Sequence, residues 1–162
     1  MSEKDFLHLL NENRAIIYKV VQLYAVDPEE KKDLYQEIVL QCWKGWSSFR
    51  GESKFSTWLY RICLNTIFTA KRKKSRVEYR EELPDVQKEQ HRSLEQEEKQ
   101  QLYAAIRQLA ETDRAIISLH LDGYSNNDIA AMMGISVNST NVKLFRIRER
   151  LSKILKPAAY EP

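Results

Sequence analysis

Apolar residues near the start of the chain recur at helical spacing. They predict one amphipathic helix over residues 6–24. Its inward positions are Leu10, Ile17, Val20, Val21 and Tyr24. Asp27 followed by Pro28 then indicates a new helix start, because Asp caps free backbone amides and Pro is tolerated in the first turn.

The helix after Pro28 is predicted to have two distinct faces. Its apolar positions are Leu34, Tyr35, Ile38, Val39, Cys42, Trp43 and Trp46. Its polar positions are Asp33, Gln36, Glu37, Gln41 and Lys44. A loop over residues 47–54 precedes a third helix at 55–74, whose inward positions are Trp58, Leu59, Ile62, Thr66 and Ile67. Together these segments predict a helical domain over residues 1–76.

Residues 75–93 lack a sustained apolar period, contain Pro84 and are rich in charge. A structureless connection of that length is uncommon inside a compact domain. We therefore expect a flexible acidic linker over residues 77–93, followed by a second domain over 94–162.

The second domain is predicted to contain four helices, of which the last two form a helix-turn-helix. The first runs over residues 94–109, and the second begins at a cap formed by Thr112 and Asp113 and stops at Gly123. The third covers residues 126–133, and the fourth runs from Ser136 to about Leu155. Ser125 and Ser136 are the expected caps, and Gly134 supplies the left-handed turn conformation between the last two helices. The architecture expected is a winged-helix-like four-helix unit.

The final helix is predicted to pack through one face and to present a polar and basic face. Its inward positions are Val137, Thr140, Leu144, Ile147 and Leu151. Its outward positions are Asn138, Ser139, Asn141, Lys143, Arg146, Arg148 and Arg150. Side chains of these types read base edges and phosphates in a major groove. The alternative is an ordinary helical hairpin with a solvated basic face.

A second candidate DNA-binding segment interleaves aromatic with basic and amide residues over 48–62, continuing to Asn65 and to the basic run at 71–74. Such a surface can stack unpaired bases and hold their backbone. The alternative is that Phe49, Phe55 and Trp58 all belong to the core. We assign Trp58 to the core and Phe49 to the surface.

Composition favours an all-α protein of two small domains. Of 162 residues, 43% are hydrophobic and only four are Gly and four Pro, which leaves little material for tight β-turns. The polar start and the lack of a long apolar run predict a cytoplasmic protein without membrane insertion. Cys42 and Cys63 are expected to be buried free thiols. The three histidines are scattered, so we expect neither a metal site nor a cofactor.

Charge is unevenly distributed. Residues 1–76 hold 14 Lys/Arg against 9 Asp/Glu, residues 77–98 hold 3 against 8, and residues 99–162 hold 9 against 6. Two basic blocks separated by an acidic one are typical of two modules that each bind a polyanion. The acidic segment that joins the modules does not bind it.

Ordered motifs in both domains resemble one family, the extracytoplasmic-function sigma factors. The first domain resembles their promoter-melting domain in the runs Asp33-Leu34-Tyr35-Gln36-Glu37 and Ser48-Phe49-Arg50-Gly51, and in residues 55–62 with Asn65. The second domain resembles their second DNA-binding domain in the runs Leu121-Asp122-Gly123-Tyr124-Ser125 and Arg146-Ile147-Arg148. The resemblance covers nearly the whole chain.

The resemblance implies a non-enzymatic factor that brings core RNA polymerase to promoter DNA and helps to melt it. It assigns contact with the polymerase clamp to Asp33, Gln36 and Glu37. It assigns the minus-ten element to Phe49, Arg61, Asn65, Lys71, Arg72 and Lys73. It assigns the minus-thirty-five element to Ser139, Asn141, Lys143, Phe145 and Arg146, although family members often place a basic residue where Asn141 stands. An anti-sigma factor is the further partner expected.

Two other functions compete with this interpretation. A stand-alone repressor or activator would use the helix-turn-helix but would leave the aromatic and basic middle segment without a role. A site-specific recombinase would need a catalytic constellation in the first domain, and we find no Ser, His or acidic residues there at convincing catalytic spacing.

Overall fold

The computed structural model describes residues 2–77 and 94–156, with the side chains of 74–77 left undescribed. The regular structure within these residues is α-helical throughout, as the sequence predicted, and it forms eight helices. The chain divides into two compact units, Met1–Gln87 and Lys88–Pro162. The linker expected at 77–93 lies outside the described residues except for Val77, which ends a helix.

Unit 1 is a four-helix assembly around an aliphatic core. Its helices are α1 (Glu3–Glu12), α2 (Arg14–Tyr24), α3 (Pro28–Trp46) and α4 (Phe55–Val77). α2, α3 and α4 pack on one another, and α1 packs on α2. Ile17, Ile38, Leu59 and Ile67 are completely buried where these helices meet. The start of α3 is as predicted, since the Glu29 amide donates to Asp27 Oδ1 at 3.4 Å and Pro28 is the first helical residue.

The single helix predicted over residues 6–24 is wrong, because the chain breaks at Asn13. The Asn13 side-chain amide donates to the Leu9 carbonyl at 2.8 Å and thereby satisfies an acceptor of the last turn of α1. Asn favours such local bonds over continued helix. The break separates α1 from α2, and Phe6 of α1 lies against the rings of Trp43 and Trp46, each with a centroid 5.3 Å away.

Unit 2 contains α5 (Leu94–Arg107), α6 (Glu111–Leu121), α7 (Asn126–Met133) and α8 (Val137–Leu155). α8 packs on the other three helices. The core is built from aliphatic residues of every helix, including Ile106, Ile116, Leu119, Ile129 and Leu144.

The predicted start of α6 is wrong, because the N-cap lies two residues before Thr112. Ala110 occupies the N-cap position and Thr112 already lies in the first turn. Arg114 closes this corner instead of a side-chain cap, because its Nε donates to the Leu109 carbonyl at 2.8 Å. Leu121 is exposed at the end of the helix.

The helix-turn-helix forms with the predicted caps. The Ser125 hydroxyl accepts from the Asp128 amide at 3.1 Å, and the Ser136 hydroxyl accepts from the Ser139 amide at 3.0 Å. Gly134 adopts φ +69°, the left-handed conformation that ends α7. Of the positions expected to face inward on α8, only Val137 is exposed.

Candidate nucleic-acid and partner interfaces

The polar stripe on α3 is exposed as predicted. Asp33, Gln36 and Glu37 recur at three- and four-residue spacing and therefore lie on one side of the helix, opposite the buried Ile38 and Cys42. The Gln41 amide donates to Glu37 Oε1 at 2.8 Å, which orients that carboxylate. The stripe is thus a pre-ordered acidic and amide surface that suits a basic partner.

Two apolar residues on this part of α3 were not predicted to be accessible. Leu40 is 44% exposed and follows Gln36 and Glu37 by one helical turn, so it lies within the stripe. Trp43, which the pattern placed on the inner face, is 48% exposed. Among the ring contacts described, its contact with α1 is the one with Phe6. Apolar side chains inside a polar stripe are typical of a protein-binding surface.

Four aromatic rings gather where α3 ends, the loop turns and α4 begins. Phe49 stacks on Trp46 with centroids 5.5 Å apart and an interplanar angle of 18°. It also contacts Phe55 at 5.9 Å and Trp58 at 5.0 Å. We call this set (Trp46, Phe49, Phe55 and Trp58) the loop aromatic cluster.

The division predicted between a surface Phe49 and a core Trp58 is wrong, because both are half-buried in the loop aromatic cluster. Trp46 and Phe55 form its buried floor. Gly51, at φ +73°, lets the chain turn directly after this packing. Phe49 is therefore held by neighbouring rings while part of it stays open.

The polar residues of α4 lie along its outer side. Arg61 and Asn65 are one turn apart and both exposed. Farther along the helix, Arg72 and Lys73 are exposed, Lys71 is half-buried, and Arg72 Nε donates to the Phe68 carbonyl at 3.3 Å. The structure thus brings an amide and a row of cations onto the outside of the helix that follows the loop aromatic cluster.

The first half of α8 presents an exposed surface at the helix-turn-helix. Asn141, Phe145 and Arg146 are exposed, the Phe145 ring by 65%, and Ser139 and Lys143 are half-buried at its sides. Val142 is 43% exposed between these residues, and its apolar character hid it from the sequence reasoning. Its place one turn before Phe145 and Arg146 is the signal that could have identified it.

The basic residues in the second half of α8 bind their own unit. The Arg148 guanidinium donates to Nε2 of His120 on α6, and Arg150 Nη2 donates to the Gln108 carbonyl at 3.5 Å. Burial, reinforced by the charge of Arg148, lowers the pKa of His120 and keeps the imidazole a neutral acceptor. Both arginines are exposed, as predicted, and each also makes a contact within unit 2.

The two cysteines are free and buried, as expected. Burial raises the pKa of Cys42 to about 12 and raises that of Cys63 well above its ordinary value. Among the residues that the structure describes, no cluster of His, Cys, Asp and Glu could hold a metal ion. Within the same residues, no helix combines the length and apolarity needed to cross a membrane.

Comparison with protein families matches both units. Residues 9–77 match the model of Sigma-70 region 2, and residues 99–151 match the model of Sigma-70, region 4. The ECF RNA polymerase sigma-E factor of Escherichia coli K12 is 31% identical over 157 residues, which cover 86% of this chain and 82% of that protein. The RNA polymerase sigma-H factor of Pseudomonas aeruginosa is 29% identical over 160 residues, covering 90% and 83%.

Solved structures match the fold. The sigma factor RpoE in complex with the anti-sigma factor NepR from Bartonella quintana aligns with a TM-score of 0.70 at 24% identity, over 96% of this chain and 97% of that one. CnrH in complex with the cytosolic domain of CnrY aligns with a TM-score of 0.67 at 21% identity, over 95% and 89%.

Proposed function

The chain belongs to the extracytoplasmic-function sigma factors of the sigma-70 family, and from this membership we propose how its two units start transcription. Unit 1 binds core RNA polymerase through α3 and holds the melted minus-ten element with the loop and α4. Unit 2 reads the minus-thirty-five element with α8. The protein works in the cytoplasm as an initiation factor, with the polymerase supplying the chemistry.

One observation carries this proposal. None of the fourteen residues assigned to polymerase or promoter contact is buried, while the residues between them on the same helices form the cores of the units. A surface that exposes each assigned residue on a rigid helix or beside packed rings needs little reorganisation to bind.

The proposed polymerase contact is the exposed stripe of Asp33, Gln36 and Glu37, completed by Leu40. Complementary charge orients two protein surfaces, and an apolar residue within the patch contributes burial. Glu37→Lys reverses one charge without touching the core. We expect it to weaken holoenzyme formation by about tenfold.

The measurement is competition for core polymerase followed by run-off transcription. Glu12→Lys is the matched control, because it makes the same charge change on α1, where Glu12 forms an exposed pair with His8 at 3.1 Å. Holoenzyme affinity that is unchanged by Glu37→Lys, or equally reduced by both variants, would rule out this contact.

The proposed minus-ten contact combines stacking and hydrogen bonding. A half-open ring backed by Trp46 gives an unpaired base a stacking surface, which contributes about 1–3 kcal/mol per base. Asn65 offers an amide that can recognise a base removed from the duplex. We expect Asn65→Ala to reduce promoter opening more than duplex binding. Permanganate footprints would show weaker reactivity of melted thymines at equal promoter occupancy, whereas normal footprints would exclude Asn65.

We also propose that an anti-sigma factor holds this chain inactive, since the sigma factor RpoE reported above is in complex with the anti-sigma factor NepR. A purified candidate inhibitor should lower run-off transcription, and excess core polymerase should restore it. Inhibition that persists at saturating polymerase would contradict competition for the factor.

The rival functions predict different behaviour. A stand-alone regulator binds its operator without displacing other initiation factors from core polymerase, and a recombinase cleaves DNA strands. Initiation by core polymerase that depends on this chain, on a promoter that core alone ignores, separates the proposal from both. The absence of such initiation would refute it.

A further inference from the structure

Two amide side chains join the helices of the helix-turn-helix at its exposed surface. Asn126 is the first residue of α7, and its Nδ2 donates to Oδ1 of Asn141, the fifth residue of α8, at 2.6 Å. Asn141 is exposed and Asn126 is half-buried behind it. The bond spans fifteen positions of sequence and fixes an amide that would otherwise rotate freely.

We propose that Asn126 sets the base preference of Asn141 by fixing which end of its amide faces DNA. This inference rests on the proposed function of α8 as the helix that reads the promoter. Because the Asn141 oxygen is engaged by Asn126, its NH₂ group is the part presented outward. Asn141 then acts as a hydrogen-bond donor, and Asn126 acts as a positioning residue.

The chemistry of the major groove converts this orientation into a preference. An unrestrained Asn pairs with adenine through both ends, donating to N7 and accepting from the N6 amino group. A fixed donor instead favours guanine, which presents acceptors at both N7 and O6, and thymine, which presents O4. Cytosine presents an amino donor at the same edge, so it is the base most disfavoured.

The surroundings of Asn141 sharpen this discrimination. Val142 is 43% exposed beside it, and Phe145, one turn farther along α8, is 65% exposed. These apolar side chains exclude water once DNA is bound. A donor facing another donor there has no solvent to replace the lost hydrogen bond, and such a mismatch is costly.

The inference predicts that reversing the polarity of Asn126 reverses the preference of Asn141. In Asn126→Asp the carboxylate can only accept, so it pairs with the Asn141 NH₂ group and turns the Asn141 oxygen outward. Asn141 then becomes an acceptor and favours the amino groups of cytosine and adenine. The acid is well placed for folding, because α7 begins at this residue and its N-terminus favours negative charge.

The experiment uses holoenzyme made from core polymerase and the full-length chain on a promoter library randomised across the minus-thirty-five element. Initiation from each sequence is counted by sequencing the transcripts. Asn141→Ala identifies the position that Asn141 reads, as the one where preference disappears. At that position the ratio of guanine plus thymine to cytosine plus adenine should fall about threefold to tenfold in Asn126→Asp, the change expected for one hydrogen bond.

Two further variants separate polarity from charge. Asn127→Asp places the same negative charge on the exposed neighbouring residue of α7 and should weaken initiation across all sequences without changing the base ratio. Asn126→Ala removes the restraint and should broaden the preference toward adenine. Far-UV circular dichroism melting checks that each variant is folded.

The outcomes distinguish this inference from the proposed function. If the wild-type chain supports no promoter-specific initiation, the proposed function fails. If initiation is specific but Asn126→Asp keeps the wild-type base order, or Asn141→Ala changes no position, the inference is overturned and the proposed function stands.

Discussion

Phe49 is predicted to have two roles that can be measured separately, one in the packing of unit 1 and one in promoter opening. Its ring contacts Trp46, Phe55 and Trp58 at centroid distances of 5.0 to 5.9 Å. Complete burial of a Phe makes its truncation to Ala cost about 3–5 kcal/mol, and each aromatic pair contributes about 0.5–1.5 kcal/mol beyond burial. Because Phe49 is only half-buried, we expect Phe49→Ala to destabilise unit 1 by about 2 kcal/mol.

A loss of that size lowers the melting temperature of a small domain by roughly 10 °C. Tryptophan fluorescence measures it selectively, since the three tryptophans of the chain, Trp43, Trp46 and Trp58, all lie in unit 1. Phe49→Leu retains apolar volume and should lose about half as much stability. Asn65→Ala removes an exposed amide and should change stability by less than about 0.5 kcal/mol.

The functional comparison then separates the two roles. At a temperature where every variant is folded, Phe49→Leu and Asn65→Ala should both open promoters poorly, although only the first is destabilised. An unchanged unfolding midpoint in Phe49→Ala would refute the packing of this ring. Normal opening by Phe49→Leu would show that the ring contributes stability alone.

Three further predictions concern unit 2 and the thiols. Gly134→Ala should destabilise unit 2 by about 1 kcal/mol, because an added Cβ meets no atom within 4 Å and the only strain is in the backbone at φ +69°. Urea unfolding should show a smaller loss of stability for Gly134→Asn, and equal losses in the two variants would contradict this reasoning. The stability of unit 2 should fall as pH drops below 6.5, since the folded-state pKa of His120 is lowered and the unfolded chain takes up the proton first. In an NMR titration, Arg148→Gln should move the pKa of His120 back toward 6.5. An unchanged pKa would exclude the charge of Arg148 as a cause of the shift. Burial raises the pKa of Cys42 from 9.0 to about 12, which lowers its thiolate fraction at neutral pH about a thousandfold. Alkylation of Cys42 should therefore be slow until urea unfolds unit 1. Rapid alkylation of the folded protein would contradict the burial of Cys42.

Helical periodicity and caps predicted most of the fold because they are local properties. The spacing of Ile38, Cys42 and Trp46 identifies the buried side of α3 without knowledge of what covers it. Asp27, Ser125 and Ser136 mark helix starts by the hydrogen bonds that their side chains can make. Gly134 is equally local, since only its own backbone conformation is at issue.

The errors arose where a residue's partner comes from another part of the chain. Trp43 belongs to the apolar set of α3, and the Phe6 ring of α1 contacts it, yet 48% of this residue stays exposed. Phe49 was assigned to the surface because a Gly-containing loop is usually exposed, yet Trp46 and Trp58 come close enough to pack on it. The break at Asn13 is a different, local error, because the side-chain bond to the Leu9 carbonyl ends α1 although the apolar pattern continues.

In the candidate site too, the sequence alone could not tell which basic residues of α8 contact other parts of unit 2. Lys143, Arg146, Arg148 and Arg150 are equivalent in the sequence as cations of one amphipathic helix. Folding distinguishes them, because the later two lie beside His120 of α6 and the Gln108 carbonyl that follows α5. Arg148 and Arg150 therefore bind His120 and the Gln108 carbonyl, which anchors the helix, and the exposed first half carries the polar and apolar groups suited to reading bases. Net charge is equal for all four cations, whereas the packing of α8 shows that the later two also make contacts within unit 2.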